Sequence, residues 1–198
     1  SPVKGSTVVL SYFSGAVVNT IIISSILLTA GLVFIAIGGT FVYSFTDILS
    51  IYGLTVLGSV SSTLLLMVFA SFFKKSSTLS SFNVMVSAAI GFVIGAYIPV
   101  SQFSQGVQTA VNLVPGSQIA GMMRNVLMTP AIDNINDMLG GADKGMFADS
   151  IKEIFTLKMN LFDNEVGFGF MMAYSLIAIA VFLIINLVSY KFSSVSKE

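Results

Sequence analysis

Chemistry in this chain has few residue types to work with. The 198 residues include no cysteine and no histidine, which excludes thiolate nucleophiles, disulfides and imidazole acid–base or metal-ligand roles. Carboxylates are the next candidates. Asp133, Asp137, Asp143 and Asp149 gather in one stretch, but their spacing is not that of a calcium-binding loop, and they read as a solvated acidic face. A phosphate-binding loop needs glycines followed at fixed offsets by a lysine and a hydroxyl, so that backbone N–H groups and one cation cradle the phosphates. Neither Gly38-Gly39 nor Gly140-Gly141 is so followed, and Lys144 reads as part of a solvated turn. No catalytic residue, metal site or bound cofactor is therefore expected here, and any ATP the protein depends on belongs to a partner chain. Nine basic residues balance nine acids. The lysines punctuate apolar runs instead of forming a stripe, which argues against nucleic acid as a partner.

What remains are hydroxyls and amides inside long apolar runs. Charged residues make up 9% of the chain and hydrophobic ones 55%, whereas a water-soluble domain carries about 25% charged residues. Four stretches are long enough for the roughly 20 residues of helix that cross a hydrocarbon core: about 8–38, 48–73, 82–99 and 166–190. Backbone groups in lipid must bond within their own segment, so these are helices. The expectation is an all-α integral membrane protein, 1–198 as one transmembrane domain, with 100–165 outside the cytoplasm. Lysines in short loops mark the cytoplasmic side. Lys4, Lys74-Lys75 and Lys191 share one face once the spans alternate, which puts both termini in the cytoplasm of a multi-pass cell-membrane protein. Asn19, Ser24 and Ser61 are polar within spans and are candidates to line a substrate pathway. Small hydroxyls in spans also bond back to their own helix or let helices approach. Gly91 and Gly95 carry the GxxxG spacing that lets another helix pack closely, within the chain or in a second subunit. Tyr97 favours the membrane interface and Pro99 lacks the next helical donor, so the third span is expected to end there.

The segment between the third and fourth spans has helical periodicity of its own. Val100, Phe103, Val107, Val111 and Val114 form one apolar stripe, and Ile119, Met122, Met123, Val126 and Leu127 a second. Pro115-Gly116 between them forces a turn. The two stripes predict an amphipathic helical hairpin on the outer side, bracketed by Pro99 and Pro115. Its apolar side packs on the spans and its Gln and Asn side faces a wet vestibule, as an outer lid would. Beyond Pro130 the run to Asp143 reads as a loop with at most one short helix, and Met146, Phe147, Ile151, Ile154, Phe155 and Leu157 predict another amphipathic helix.

Taken in order, these features resemble the permease subunits of type-2 ABC exporters. Ser1-Pro2-Val3-Lys4-Gly5-Ser6 before an apolar span is similar to the segment that introduces that family's third helix. The span ending in Phe72-Phe73-Lys74-Lys75 is similar to its fourth helix and basic turn. Gly95-Ala96-Tyr97-Ile98-Pro99, then Val114-Pro115 and Arg124, resembles its fifth helix, outer hairpin and proline-containing turn. The resemblance implies a six-span permease of which the last four are present, the first two and most of the coupling helix preceding Ser1. It implies two copies around one pathway, as homo- or heterodimer, and separate ATPase subunits docked beneath. Such a chain is no enzyme: it moves a substrate outward by alternating inward- and outward-open states. Two other readings compete. One is a non-transporting membrane scaffold or immunity protein; the other is a secondary transporter, whose usual ionisable residue in a span and repeated half are not visible.

Overall fold

A computed structural model of the chain describes residues 5–39, 41–73, 75–140, 145–157, 159–162 and 164–195, with side chains from residue 7 to 189 within those segments. Lys4 and the rest of the opening segment, Lys74, Gly141, Asp143, Lys144, Lys158 and Asp163 lie outside the described residues, as does the side chain of Lys191.

The fold is all-α, with four helices long and apolar enough to cross a membrane. Helix α1 (Gly5–Ile37) is apolar on every side, and its 33 residues extend about 50 Å, more than a hydrocarbon core of about 30 Å requires. Helix α2 (Phe45–Ala70) starts at a capping box: the Asp47 N–H donates to Ser44 Oγ at 3.3 Å and the Ser44 N–H to Asp47 Oδ2 at 2.9 Å. Two groups that would be orphaned at the helix start are thereby satisfied. Helix α3 (Ser76–Val93) and helix α7 (Phe168–Val195) complete the set. Val9, Tyr12, Met67, Ala70, Ser71, Asn186 and Ser189 border one small cavity, so the start of α1 and the ends of α2 and α7 converge at one end of the bundle, as alternating spans require.

Between α3 and α7 lie a 3-10 turn (Val100–Gln102), α4 (Gln105–Asn112), α5 (Pro115–Met138), α6 (Met146–Ile154) and an antiparallel hairpin of β1 (Met159–Leu161) and β2 (Asn164–Val166). The main core joins Leu54 of α2, Ile119 and Met122 of α5, Met159, Leu161 and Val166 of the hairpin, and Met171 of α7. A Cβ at Gly121 would collide with Met159 Sδ; a side chain there would force Met159 to repack.

Several expectations change at this level. The third span starts at Ser76 and stops at Val93, six residues before Pro99, because Gly95 takes φ +72°. The Gly95 N–H bonds to Phe92 O and the Ala96 N–H to Gly91 O, the two-bond cap that a left-handed residue allows. Gly91 and Gly95 therefore do not form a helix-packing face: Gly95 lies beyond the helix, and the space over Gly91 is taken by the chain's own Tyr97 ring. Pro115 does not make the turn but opens α5 at its first position, where its missing N–H costs nothing. Helix α5 runs through Pro130 to Met138, held on the far side by Ile132 packing with Ala148 and Leu157. Of the outer hairpin's two apolar stripes, the second packs on the spans, Ile119 and Met122 meeting Leu54 of α2 and Met171 of α7, while the part of the first carried by α4 does not. Val107 is 45% exposed while Asn112 is fully buried, because α4 rests on β1 and α5.

Candidate functional site

Helix α5 is too polar to count among the four apolar helices, yet it packs between α2 and α7. Ile119 Cγ2 lies 3.4 Å from where a Gly58 side chain would begin, and Gly58 is about 20 Å along α2 from Phe45. The α4–α5 turn thus reaches well down the bundle. Irregular backbone at that depth survives only where protein or a cavity covers it, and the carbonyls at the end of α3 are covered. Ser117 Oγ donates to Val93 O at 3.0 Å and Arg124 Nη1 to Ile94 O at 3.2 Å. Tyr174 Oη donates to Leu113 O at 2.6 Å across the same turn.

Helix α3 lies along no other helix. It is attached at its ends, by Phe82 against Phe69 and Phe73 at one and by Ser117 and Arg124 at the other. Between it and α1, α2 and α5 opens a cleft of about 420 Å³. Hydroxyls of Thr20, Ser24, Thr55, Ser59, Ser61 and Ser62 line it, with Ile90, Ile94, Ile119 and Met123 among the apolar walls. Thr20, Thr55 and Ser59 bond back to Ala16 O, Ile51 O and Thr55 O, and such back-bonding hides polarity in a span. Ser24 and Ser61 have no such bond among the described residues and keep their hydroxyls for the cleft. No charged residue lines it. A cleft of this kind can hold an apolar body and offer it a few hydrogen bonds.

Of the three residues proposed from sequence as pathway-lining, Ser24 and Ser61 meet at the cleft. Asn19 does not: it is exposed on another side of α1, and Thr20, four residues before Ser24, stands where Asn19 was expected. Gly95 and Pro99 shape the exit of α3 beside the cleft, and Val114 and Gly116 on either side of Pro115 form part of its wall. The sequence reading missed the buried polar set of the re-entrant turn. Asn112 and Gln118 are both fully buried. Asn112 Nδ2 donates to Asn160 O at 2.9 Å, and Gln118 Nε2 donates to the Asn112 carbonyl oxygen. Arg124 is the third member, and burial pulls its guanidinium below its ordinary pKa. The signal available was two amides and an arginine inside stripes otherwise apolar. Compared with models of protein families, with curated proteins and with solved structures, the chain matches none.

Proposed function

We propose that the chain is the membrane-spanning part of a type-2 ABC exporter permease, with the hydroxyl-lined cleft as its substrate path. The cleft is the observation that carries this reading: a scaffold or immunity protein needs no such space within its bundle. A secondary transporter calls for an ionisable group in the spans, and the candidate spans Thr7–Ile37, Phe45–Ala70, Ser76–Val93 and Phe168–Ser189 hold no acid or base but Asp47, engaged in the cap of α2. The order of motifs from Gly95 to Arg124 supports the family assignment. ATP is held and hydrolysed by a separate ATPase subunit at the end of the bundle where Lys75 lies, which we place in the cytoplasm of a cell-membrane protein by the lysine rule. A second permease copy completes the pathway. Exposed Asn19, in the middle of an apolar span, supports that copy, since an amide facing lipid gains from a partner helix.

The test uses the protein purified in mild detergent from its own membranes and photolabelled with azido-ATP after vanadate trapping. Label is expected on a companion chain and not on this one. Label on this chain, or a preparation without vanadate-trapped nucleotide, contradicts the reading.

A further inference from the structure

Arg124 has three nitrogens and one described bond. Nη1 donates to Ile94 O, while Nε and Nη2 are shielded from solvent and have no hydrogen-bond partner among the described residues. No carboxylate pairs with it there; the ion pair described is Lys152 with Asp133. The negative end of α3 supplies only a partial counter-charge. A guanidinium held away from water without an anion is costly, and its planar fork matches a carboxylate or phosphate.

Arg124 is not itself in the cleft wall, but its neighbours are. Arg124 follows Ala120 by one helical turn and Met123 by one residue, and both line the cleft, as does Ile94, whose carbonyl it holds. The cleft has apolar walls, hydroxyls and no charge, and its volume of about 420 Å³ falls in the ordinary range for ligand sites. An apolar chain fits those walls, and an acidic head at the end of that chain is what the free fork lacks.

We propose that Arg124 anchors the carboxylate or phosphate of an anionic amphiphile whose apolar chain lies in the cleft between α1, α2, α3 and α5. Nε and Nη2 become reachable when the Ile94 carbonyl leaves Nη1. Helix α3 lies along no other helix, so that shift has to break only its end contacts, the Arg124 bond to Ile94 O and the Ser117 bond to Val93 O. That the amphiphile is exported cargo rests on the reading above; its binding does not.

The experiment uses the protein in phosphatidylcholine nanodiscs without ATPase or nucleotide, so its outcome is independent of the export reading. A diazirine-bearing palmitate is crosslinked and the labelled peptides are read by mass spectrometry, in competition with palmitate, hexadecanol or inorganic phosphate. Label is expected on cleft residues. Palmitate should compete about tenfold better than hexadecanol, since a charge-assisted hydrogen bond is lost with the acid, and inorganic phosphate should not compete. Arg124→Gln should bring the two chain ligands to within about twofold of each other, and Arg124→Lys should retain part of the preference. Should Arg124→Gln fail to fold, Ser24→Phe, which fills the cleft and leaves Arg124 in place, should lower labelling by both chain ligands alike. Equal competition by palmitate and hexadecanol, competition by inorganic phosphate, or full labelling of Ser24→Phe would each overturn the proposal.

Discussion

Alanine at position 95 probes how the end of α3 is held, and three glycines separate the contributions. Gly95 has φ +72°, and a Cβ there would lie 2.7 Å from Arg124 Nη1 and 2.8 Å from Val100 Cγ2. The left-handed backbone costs a residue with a side chain about 1–2 kcal/mol, and pushing two packed neighbours aside costs about 1–3 kcal/mol more. Together Gly95→Ala should destabilise by about 2–5 kcal/mol. Gly140 has φ +57° and open space around it, so Gly140→Ala carries only the backbone cost of about 1–2 kcal/mol. Gly116 sits in the first turn of α5 and its nearest foreign atom is Ile94 Cγ2 at 3.9 Å; Gly116→Ala should be neutral or stabilise by up to about 1 kcal/mol. The assay is unfolding by dodecyl sulfate in mixed micelles, followed by far-UV circular dichroism. If Gly95→Ala and Gly140→Ala prove indistinguishable, the close seating of Arg124 and Val100 against Gly95 is refuted.

Other consequences concern separate parts of the molecule. Asn186 Nδ2 joins α7 to Leu64 O of α2 at 3.0 Å while bonding back to Phe182 O. Asn186→Leu should therefore cost about 0.6–1.7 kcal/mol in the same unfolding assay. Met159 is fully buried in the main core, and Met159→Ala should cost about 2–5 kcal/mol and loosen the β-hairpin, read as faster proteolysis near residues 159–166. Tyr43 donates to Leu127 O at 3.0 Å, and burial together with nearby Asp47 raises its pKa. Its contribution is complete below the ordinary tyrosine value of about 10 and is lost as pH rises above it, so Tyr43→Phe should flatten the alkaline fall in stability. With no native cysteine, Ser76→Cys should react with an impermeant thiol reagent from the cytoplasmic side only and Asp149→Cys from the outer side only.

The spans were legible because hydrocarbon imposes a length that 8–38 or 166–190 meets by composition alone. Helical phase was not. In a helix as evenly apolar as α1, nothing in the sequence distinguishes the side facing α2 from the side facing away, so Asn19 and Thr20, 100° apart on the helix, could not be told apart as cleft residues. Spacing also misled at Gly91 and Gly95. A helix-packing pair and a helix ended by a left-handed glycine have the same letters, and the choice is made by Tyr97 folding back over Gly91. Pro130 signalled a break that the burial of Ile132 overrode. The strands at 159–166 are three residues each, below the length at which alternation can be recognised. Ser24 and Ser61 were found because a hydroxyl among aliphatics is visible in one dimension. The burial of Arg124 was not, because it depends on where α3 stops.

Alternating exposure of the cleft is the behaviour that a transport role requires. Ser61→Cys, placed in the full chain with the companion chains that co-purify with it, in sealed membrane vesicles of known orientation, is treated with a small impermeant thiosulfonate from one side and then the other, with and without ATP and vanadate. Without nucleotide, labelling should proceed from the cytoplasmic side; with trapped nucleotide it should fall there and rise from the outer side. Labelling that is the same from each side whatever the nucleotide would contradict a transport role for the cleft.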